Sequence, residues 1–107
     1  MTNTFRSFIT FAVAASFACA SVLAQSSGET IYKQRCLNCH GANGLAGSGI
    51  GKIMKVKPVT DPDVIKLTEP EMIQMVRLGS GKMQPYKSDL TDVQIKISVD
   101  YFRTFLK

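Results

Sequence analysis

Hydrophobic residues recur at helical spacing in three segments of the chain, and a residue that commonly caps helices precedes each of them. The first segment runs from about Ser27 to Leu37. Ser27 is the expected N-cap, and Ile31 and Tyr32 supply the apolar contacts of this segment. The pattern predicts a short helix that leads directly into Cys36.

The other two segments begin with capping boxes, in which a Thr and a residue three positions later exchange hydrogen bonds with the backbone. Residues 68–71 open a helix that carries Met72 and Ile73 and ends at Gly79. Residues 91–94 open a helix whose apolar face continues to the end of the chain. The three segments together predict an all-α fold.

The stretches between these helices are rich in glycine, proline and charge. Residues 41–51 contain too many glycines for a regular element, which predicts a loop that passes close to a flat object. Residues 52–67 are basic and contain Pro58 and Pro62. For that stretch, the sequence indicates only a short helix at about Ile50 to Lys55.

The first 24 residues have the features of a secretion signal. Arg6 provides a positive start, an apolar run covers Phe8 to Ala20, and Val22-Leu23-Ala24 places small residues where a signal peptidase cuts. Ala18-x-Ala20 offers an earlier cleavage site. The run is too short and too polar for a good membrane span, although a retained anchor helix and a lipid on Cys19 stay open as alternatives. We therefore expect an exported, periplasmic protein without stable membrane insertion.

Removal of residues 1–24 leaves one small domain, residues 25–107. The chain carries a formal charge of +5 and three cysteines, and only Cys36 and Cys39 lie in the mature part, so no disulfide framework is expected. Domains of this size have little hydrophobic core and often need a cofactor or cross-link to stabilise them.

The residues Cys36-Leu37-Asn38-Cys39-His40 form a C-x-x-C-H motif, the attachment signature of a c-type haem. Two thiols at this spacing can each bond one vinyl group of the porphyrin, and His40 then lies next to the iron as an axial ligand. A zinc site is an alternative, but the chain has a single His and no paired ligand spacing. A thioredoxin-like redox pair would need a βαβ setting that the flanking residues do not indicate.

A second axial donor would come from a methionine, because the chain has no second His. Met72 and Met75 lie within a helix at spacings typical of core packing, and Met54 is a further alternative. Met83 lies beyond that helix, in a glycine-containing loop whose exit Pro85 stiffens. Met83 is the favoured ligand, with a surface loop methionine as the alternative.

The mature chain resembles the small, single-haem class I cytochromes c of bacteria over nearly its whole length. The resemblance rests on six features of the sequence: Gly28-x-x-x-Tyr32, C-x-x-C-H-Gly41, the glycine-rich loop, Gly79 with the Met83 loop, Leu90-Thr91-Asp92 and Tyr101-Phe102-Arg103. It implies a cytochrome c fold, with three main helices wrapped around one covalent haem and the first and last helices packed together.

The resemblance also implies roles for particular residues. Gly28 and Tyr32 would pack against Tyr101 or Phe102, and Met83 would be the sixth iron ligand. Two departures from the family pattern stand out. Gln84 separates Met83 from Pro85, and Gly51 is followed by Lys52 rather than by proline. The second departure leaves open which carbonyl orients His40, and the carbonyl of Pro58 is a candidate.

Ligation by both His40 and Met83 would leave no open iron position for a substrate, so we expect a one-electron carrier rather than an enzyme. A haem subunit tethered to a larger periplasmic oxidoreductase and a small peroxidase are the alternatives.

The expected partners are a redox protein that donates the electron and another that accepts it. We expect the chain to be a monomer. Nucleic acid is not an expected partner. If lysines border the haem crevice, they would steer the protein to an acidic docking patch. The lysines in question are Lys52, Lys55, Lys57, Lys66, Lys82 and Lys87.

Overall fold

The computed structural model describes residues 27–107, so the expected signal peptide, its cleavage site and Cys19 lie outside the described residues. Within this range, the secondary structure is helical apart from one isolated bridge between Ser80 and Met83. In chain order, the helices are α1 (Gly28–Arg35), α2 (Leu37–His40), α3 (Gly49–Ile53), α4 (Pro62–Ile65), α5 (Glu69–Leu78) and α6 (Asp92–Arg103), followed by a 3₁₀ turn (Thr104–Leu106).

The first helix begins as the sequence predicts and ends earlier. The Ser27 hydroxyl accepts a hydrogen bond from the backbone N–H of Thr30 at 3.1 Å, as an N-cap should. The helix ends at Arg35, slightly before the predicted end at about Leu37. Cys36 forms a turn between α1 and α2 while its N–H still bonds the Tyr32 carbonyl at 2.8 Å. The motif therefore has a short helix of its own.

Both predicted capping boxes are present. At the start of α5, the Thr68 N–H donates to the Glu71 carboxylate at 2.7 Å, and the Glu71 N–H donates to the Thr68 hydroxyl at 3.4 Å. Thr91 and Gln94 make the same exchange at the start of α6, at 2.9 and 3.2 Å. The side chains thereby satisfy backbone donors that have no partner inside the helix.

The basic stretch contains more structure than its sequence indicates. The short helix expected near Ile50 to Lys55 is α3, which begins at Gly49 and ends at Ile53. The sequence did not predict α4, where the Asp61 side chain accepts from the Asp63 N–H at 2.8 Å to cap one turn of helix.

The first and last helices pack together, as predicted. At Gly28, the α1 backbone comes so close to α6 that an added Cβ would overlap the Ile97 carbonyl oxygen. The Tyr32 ring lies 5.3 Å from the ring of Tyr101 and 6.2 Å from that of Phe102. A hydrophobic core lies beside this crossing and joins α1, α5 and α6; its buried members are Ile31, Met72, Leu90, Ile95 and Val99.

The helices of residues 27–107 are all too short to cross a lipid bilayer. The longest is α6, which has 12 residues, whereas a spanning helix needs about 20 apolar residues.

Candidate haem-binding site

The turn at Cys36 and helix α2 set the spacing of the motif. The His40 N–H donates to the Cys36 carbonyl at 2.9 Å, and the Gly41 N–H donates to the Leu37 carbonyl at 2.8 Å. These bonds fix Cys36 and Cys39 one helical turn apart. Both thiols are half-buried and neither is in a disulfide, so both are free to bond a haem.

The surroundings of Cys36 favour its neutral thiol. Burial raises the pKa of Cys36 to about 11, and the neighbouring Cys39 adds to the effect. A thioether carries no charge, so this setting matches the form that Cys36 takes once it is bonded to haem.

His40 is held by packing and by its own backbone. Its ring lies 5.3 Å from the Phe102 ring of α6, and its carbonyl accepts from the Ala46 N–H at 2.8 Å. Burial lowers the pKa of His40, which favours the neutral imidazole that a metal binds.

No hydrogen bond reaches the buried Nδ1 atom of His40 within the described residues. The suggestion that the Pro58 carbonyl orients His40 is therefore not supported by the structure. That carbonyl accepts from the Asp61 N–H at 2.9 Å, in the turn that leads into α4.

Tyr32 contributes a contact beside His40 that the sequence did not reveal. Its ring is 1% exposed, and its hydroxyl donates to the Gly41 carbonyl at 2.6 Å. Burial raises the pKa of Tyr32, with smaller contributions from Cys36 and Tyr101, so the hydroxyl keeps its proton. The aromatic side chain that packs α1 onto α6 also fixes the backbone just after His40.

The loop that carries Met83 is tightly folded. The N–H groups of Ser80 and Met83 each donate to the other residue's carbonyl, at 3.1 and 2.9 Å. Met83 is half-buried. Tyr86, three residues further on, donates from its hydroxyl to the Arg35 carbonyl at 3.1 Å. The structure therefore brings the Met83 loop against the residue that precedes Cys36.

The other methionines have different surroundings. Met72 is 5% exposed, belongs to the core, and has its sulfur 3.7 Å from an Arg103 guanidinium nitrogen. Met75 is half-buried within α5, and Met54 is the C-cap of α3. Met72 is thus occupied by core packing, as its helical spacing indicates.

The side chains around the motif fit a c-type haem better than a zinc ion. They offer two free thiols one turn apart, an imidazole that burial keeps neutral, and a thioether in an adjoining loop. Across residues 27–107, no three His, Cys, Asp or Glu side chains gather as metal ligands. The same range lacks the parallel strands of a thioredoxin-like site.

Comparison with known proteins points the same way. The family model described as "Cytochrome C oxidase, cbb3-type, subunit III" matches residues 24–102. A search of curated proteins found no match.

Several solved structures share the fold. The KustC0563 c-type cytochrome is 27% identical with a TM-score of 0.69, and the alignment covers 77% of this chain and all of that one. Cytochrome c6 from the diatom Phaeodactylum tricornutum is 22% identical with a TM-score of 0.56. The alignment covers 74% of this chain and 90% of that one. A chain of the Kuenenia stuttgartiensis reducing HAO-like protein complex Kustc0457/Kustc0458 is 21% identical with a TM-score of 0.58, and 76% of this chain aligns with 42% of it.

Proposed function

Because the chain belongs to the cytochrome c oxidase, cbb3-type, subunit III family and is a small class I cytochrome c, we propose that it is a soluble periplasmic electron carrier with His/Met ligation. Family membership gives covalent haem c as the cofactor and electron transfer as the activity. The chemistry that the haem supplies when bound is the reversible one-electron reduction of its iron.

Four residues hold the haem in this proposal. Cys36 and Cys39 form the thioethers, His40 is one axial ligand and Met83 is the other. The observation that carries it is the hydrogen bond from the hydroxyl of Tyr86, three residues after Met83, to the carbonyl of Arg35, the residue before Cys36. Protein ligands on both sides would leave no open iron position for a substrate, and the soft thioether of Met83 would favour the ferrous state.

The proposed mature protein runs from Gln25 to Lys107, after removal of the signal peptide at residues 1–24, and acts as a monomer. A tethered subunit is a second candidate, because the family description names an oxidase subunit and one structural relative belongs to a complex. Purification under mild conditions distinguishes the two. A carrier elutes alone at its own mass, whereas a subunit elutes with an oxidoreductase.

Partner choice in this proposal depends on lysines that form no ion pair. Lys57 and Lys66 both bond the Asp63 carboxylate, at 2.5 and 2.7 Å, which holds the pKa of Asp63 down at about 2. These two lysines are partly neutralised and contribute less to steering than the sequence suggested. Within residues 27–107, no ion pair includes the remaining four: Lys52, Lys55, Lys82 and Lys87.

Intact-mass spectrometry of the exported protein tests the attachment and the cleavage site together. The expected mass is that of residues 25–107 plus one haem, and acid acetone should not extract the pigment. A Cys36→Ala variant should retain one thioether and Cys36→Ala/Cys39→Ala none, so that acid acetone extracts haem from the double variant. An unmodified polypeptide mass for the wild-type protein would contradict the proposal.

A further inference from the structure

Tyr86 is fixed at three points. Its N–H donates to the Val76 carbonyl of α5 at 2.9 Å, and its carbonyl accepts from the N–H groups of Asp89 and Leu90, both at 2.9 Å. Its hydroxyl donates to the Arg35 carbonyl at 3.1 Å, across 51 positions of the chain. The backbone bonds anchor Tyr86 to its own segment, so the hydroxyl bond ties that whole segment to the end of α1.

The two ends of this tether lie next to the proposed haem ligands. Arg35 immediately precedes Cys36, whose N–H is itself bonded to Tyr32. Met83 lies three residues before Tyr86, in the turn closed by its bonds with Ser80. Among the side-chain hydrogen bonds of residues 27–107, the Tyr86 bond is the one that joins residues 79–86 to residues 35–40.

The Tyr86 hydroxyl keeps its proton and can donate a hydrogen bond at neutral pH. Tyr86 is half-buried, and burial raises its pKa. The bond to the Arg35 carbonyl lies at the surface, where water can replace it, so its loss removes a modest stabilisation.

We propose that Tyr86 is a positioning residue that locks the Met83 loop against the haem-attachment segment and so holds the Met83 thioether at the iron. This inference rests on the proposed function, specifically on ligation by Met83. An added ligand can reach the iron only if Met83 leaves, and that departure moves the loop and breaks the Tyr86 tether. The tether therefore lowers the apparent affinity for any competing ligand.

Titration of the purified ferric holoprotein with imidazole tests the inference, since imidazole competes with Met83. Tyr86→Phe keeps the ring and removes the hydroxyl, and we expect its dissociation constant for imidazole to fall about fivefold, the factor expected from losing one hydrogen bond. Amide hydrogen exchange should also be faster at Met83. Tyr101→Phe is the matched control, because within residues 27–107 the Tyr101 hydroxyl makes no hydrogen bond.

An unchanged affinity in Tyr86→Phe, or an equal change in Tyr101→Phe, overturns the inference. A ferric haem ligated by methionine has a weak absorption band at the red edge of the visible spectrum. If the wild-type ferric protein lacks that band, Met83 ligation itself is wrong, and the inference fails with it.

Discussion

At the scale of single residues, Gly79 determines the shape of the Met83 loop. Its φ of 79° and ψ of 162° lie in a region that is essentially restricted to glycine. A Cβ at this position would lie 2.8 Å from the Met83 carbonyl oxygen and 3.0 Å from the Pro85 nitrogen. Because both atoms belong to the backbone, the loop itself would have to move.

Gly79→Ala should therefore disturb the proposed axial ligand as well as the fold. We expect the free energy of unfolding to fall by about 2–4 kcal/mol, because backbone strain and atomic overlap add together. The weak absorption band of the methionine-ligated ferric haem should also be partly lost. Gly81→Ala is the control, since Gly81 also has a positive φ of 55° but nothing within 4 Å of an added Cβ. If both variants weaken the band equally, the close contact at Gly79 has no special role.

Tyr32 gives the stability a dependence on alkaline pH. Its pKa is raised in the folded state, so the unfolded chain releases the proton first, near the ordinary value of 10.0. The stabilisation is complete below that pH and declines as the pH rises towards the folded-state pKa. Denaturant titrations between pH 8 and about 11 should show a falling free energy of unfolding, and the fall should be shallower in Tyr32→Phe. Parallel curves for the two proteins would contradict this assignment.

The sequence predicts candidate haem-binding residues but not the contacts that support them. Cys36, Cys39 and His40 are candidates because of a local motif, and Met83 is a candidate because it lies in a loop beyond α5. The contact of Tyr86 with Arg35 spans 51 positions, and no periodicity or spacing indicates it. The contact of the His40 ring with Phe102 of α6 likewise joins residues far apart in the chain.

At the scale of helices, the contact between α1 and α6 depends on the absence of a side chain at Gly28. We expect Gly28→Ala to lower the free energy of unfolding by about 1–3 kcal/mol, because the new Cβ overlaps the Ile97 carbonyl and forces the helices apart. Gly49→Ala is the matched control, since Gly49 also lies in the first turn of a helix and its Cβ would meet nothing within 4 Å. Chemical denaturation of both variants measures the difference. Equal losses of unfolding free energy in the two variants would show that α1 and α6 accommodate the added Cβ without moving apart.

Local signals predicted helix starts well and helix ends less well. The capping boxes at Thr68 and Thr91 are short-range interactions, so the sequence alone locates them. The end of α1 at Arg35 is different, because the turn at Cys36 keeps a helical backbone and leaves no glycine or proline to mark it. Helix α4 is a single turn with a local cap, too short for its apolar positions to show a period.

At the scale of the whole molecule, the formal charge of +5 matters through its distribution. Lys82 precedes the proposed ligand, is exposed, and takes part in no ion pair within the described residues. If it faces an acidic partner, Lys82→Glu should slow electron transfer at low salt by about tenfold or more, and the difference should shrink as salt screens the field over ~10 Å. Stopped-flow mixing with the physiological partner measures this rate.

Lys107→Glu is the control for that experiment, because it makes the same change in net charge at another exposed lysine. Both variants should keep the wild-type optical spectrum. Equal slowing by the two would mean that net charge alone governs the encounter. Rates that do not respond to either variant or to salt would favour a tethered, apolar contact instead.

The most direct test of the whole account is the absorption of the ferric protein at the red edge of the visible spectrum, in wild type and in Met83→Ala. Ligation by His40 and Met83 predicts a weak band there in the wild-type protein, and its loss in Met83→Ala while the haem stays covalently attached. A wild-type spectrum without that band, or an unchanged band in Met83→Ala, would contradict the proposed ligand set and reopen Met54 or another donor as the sixth ligand.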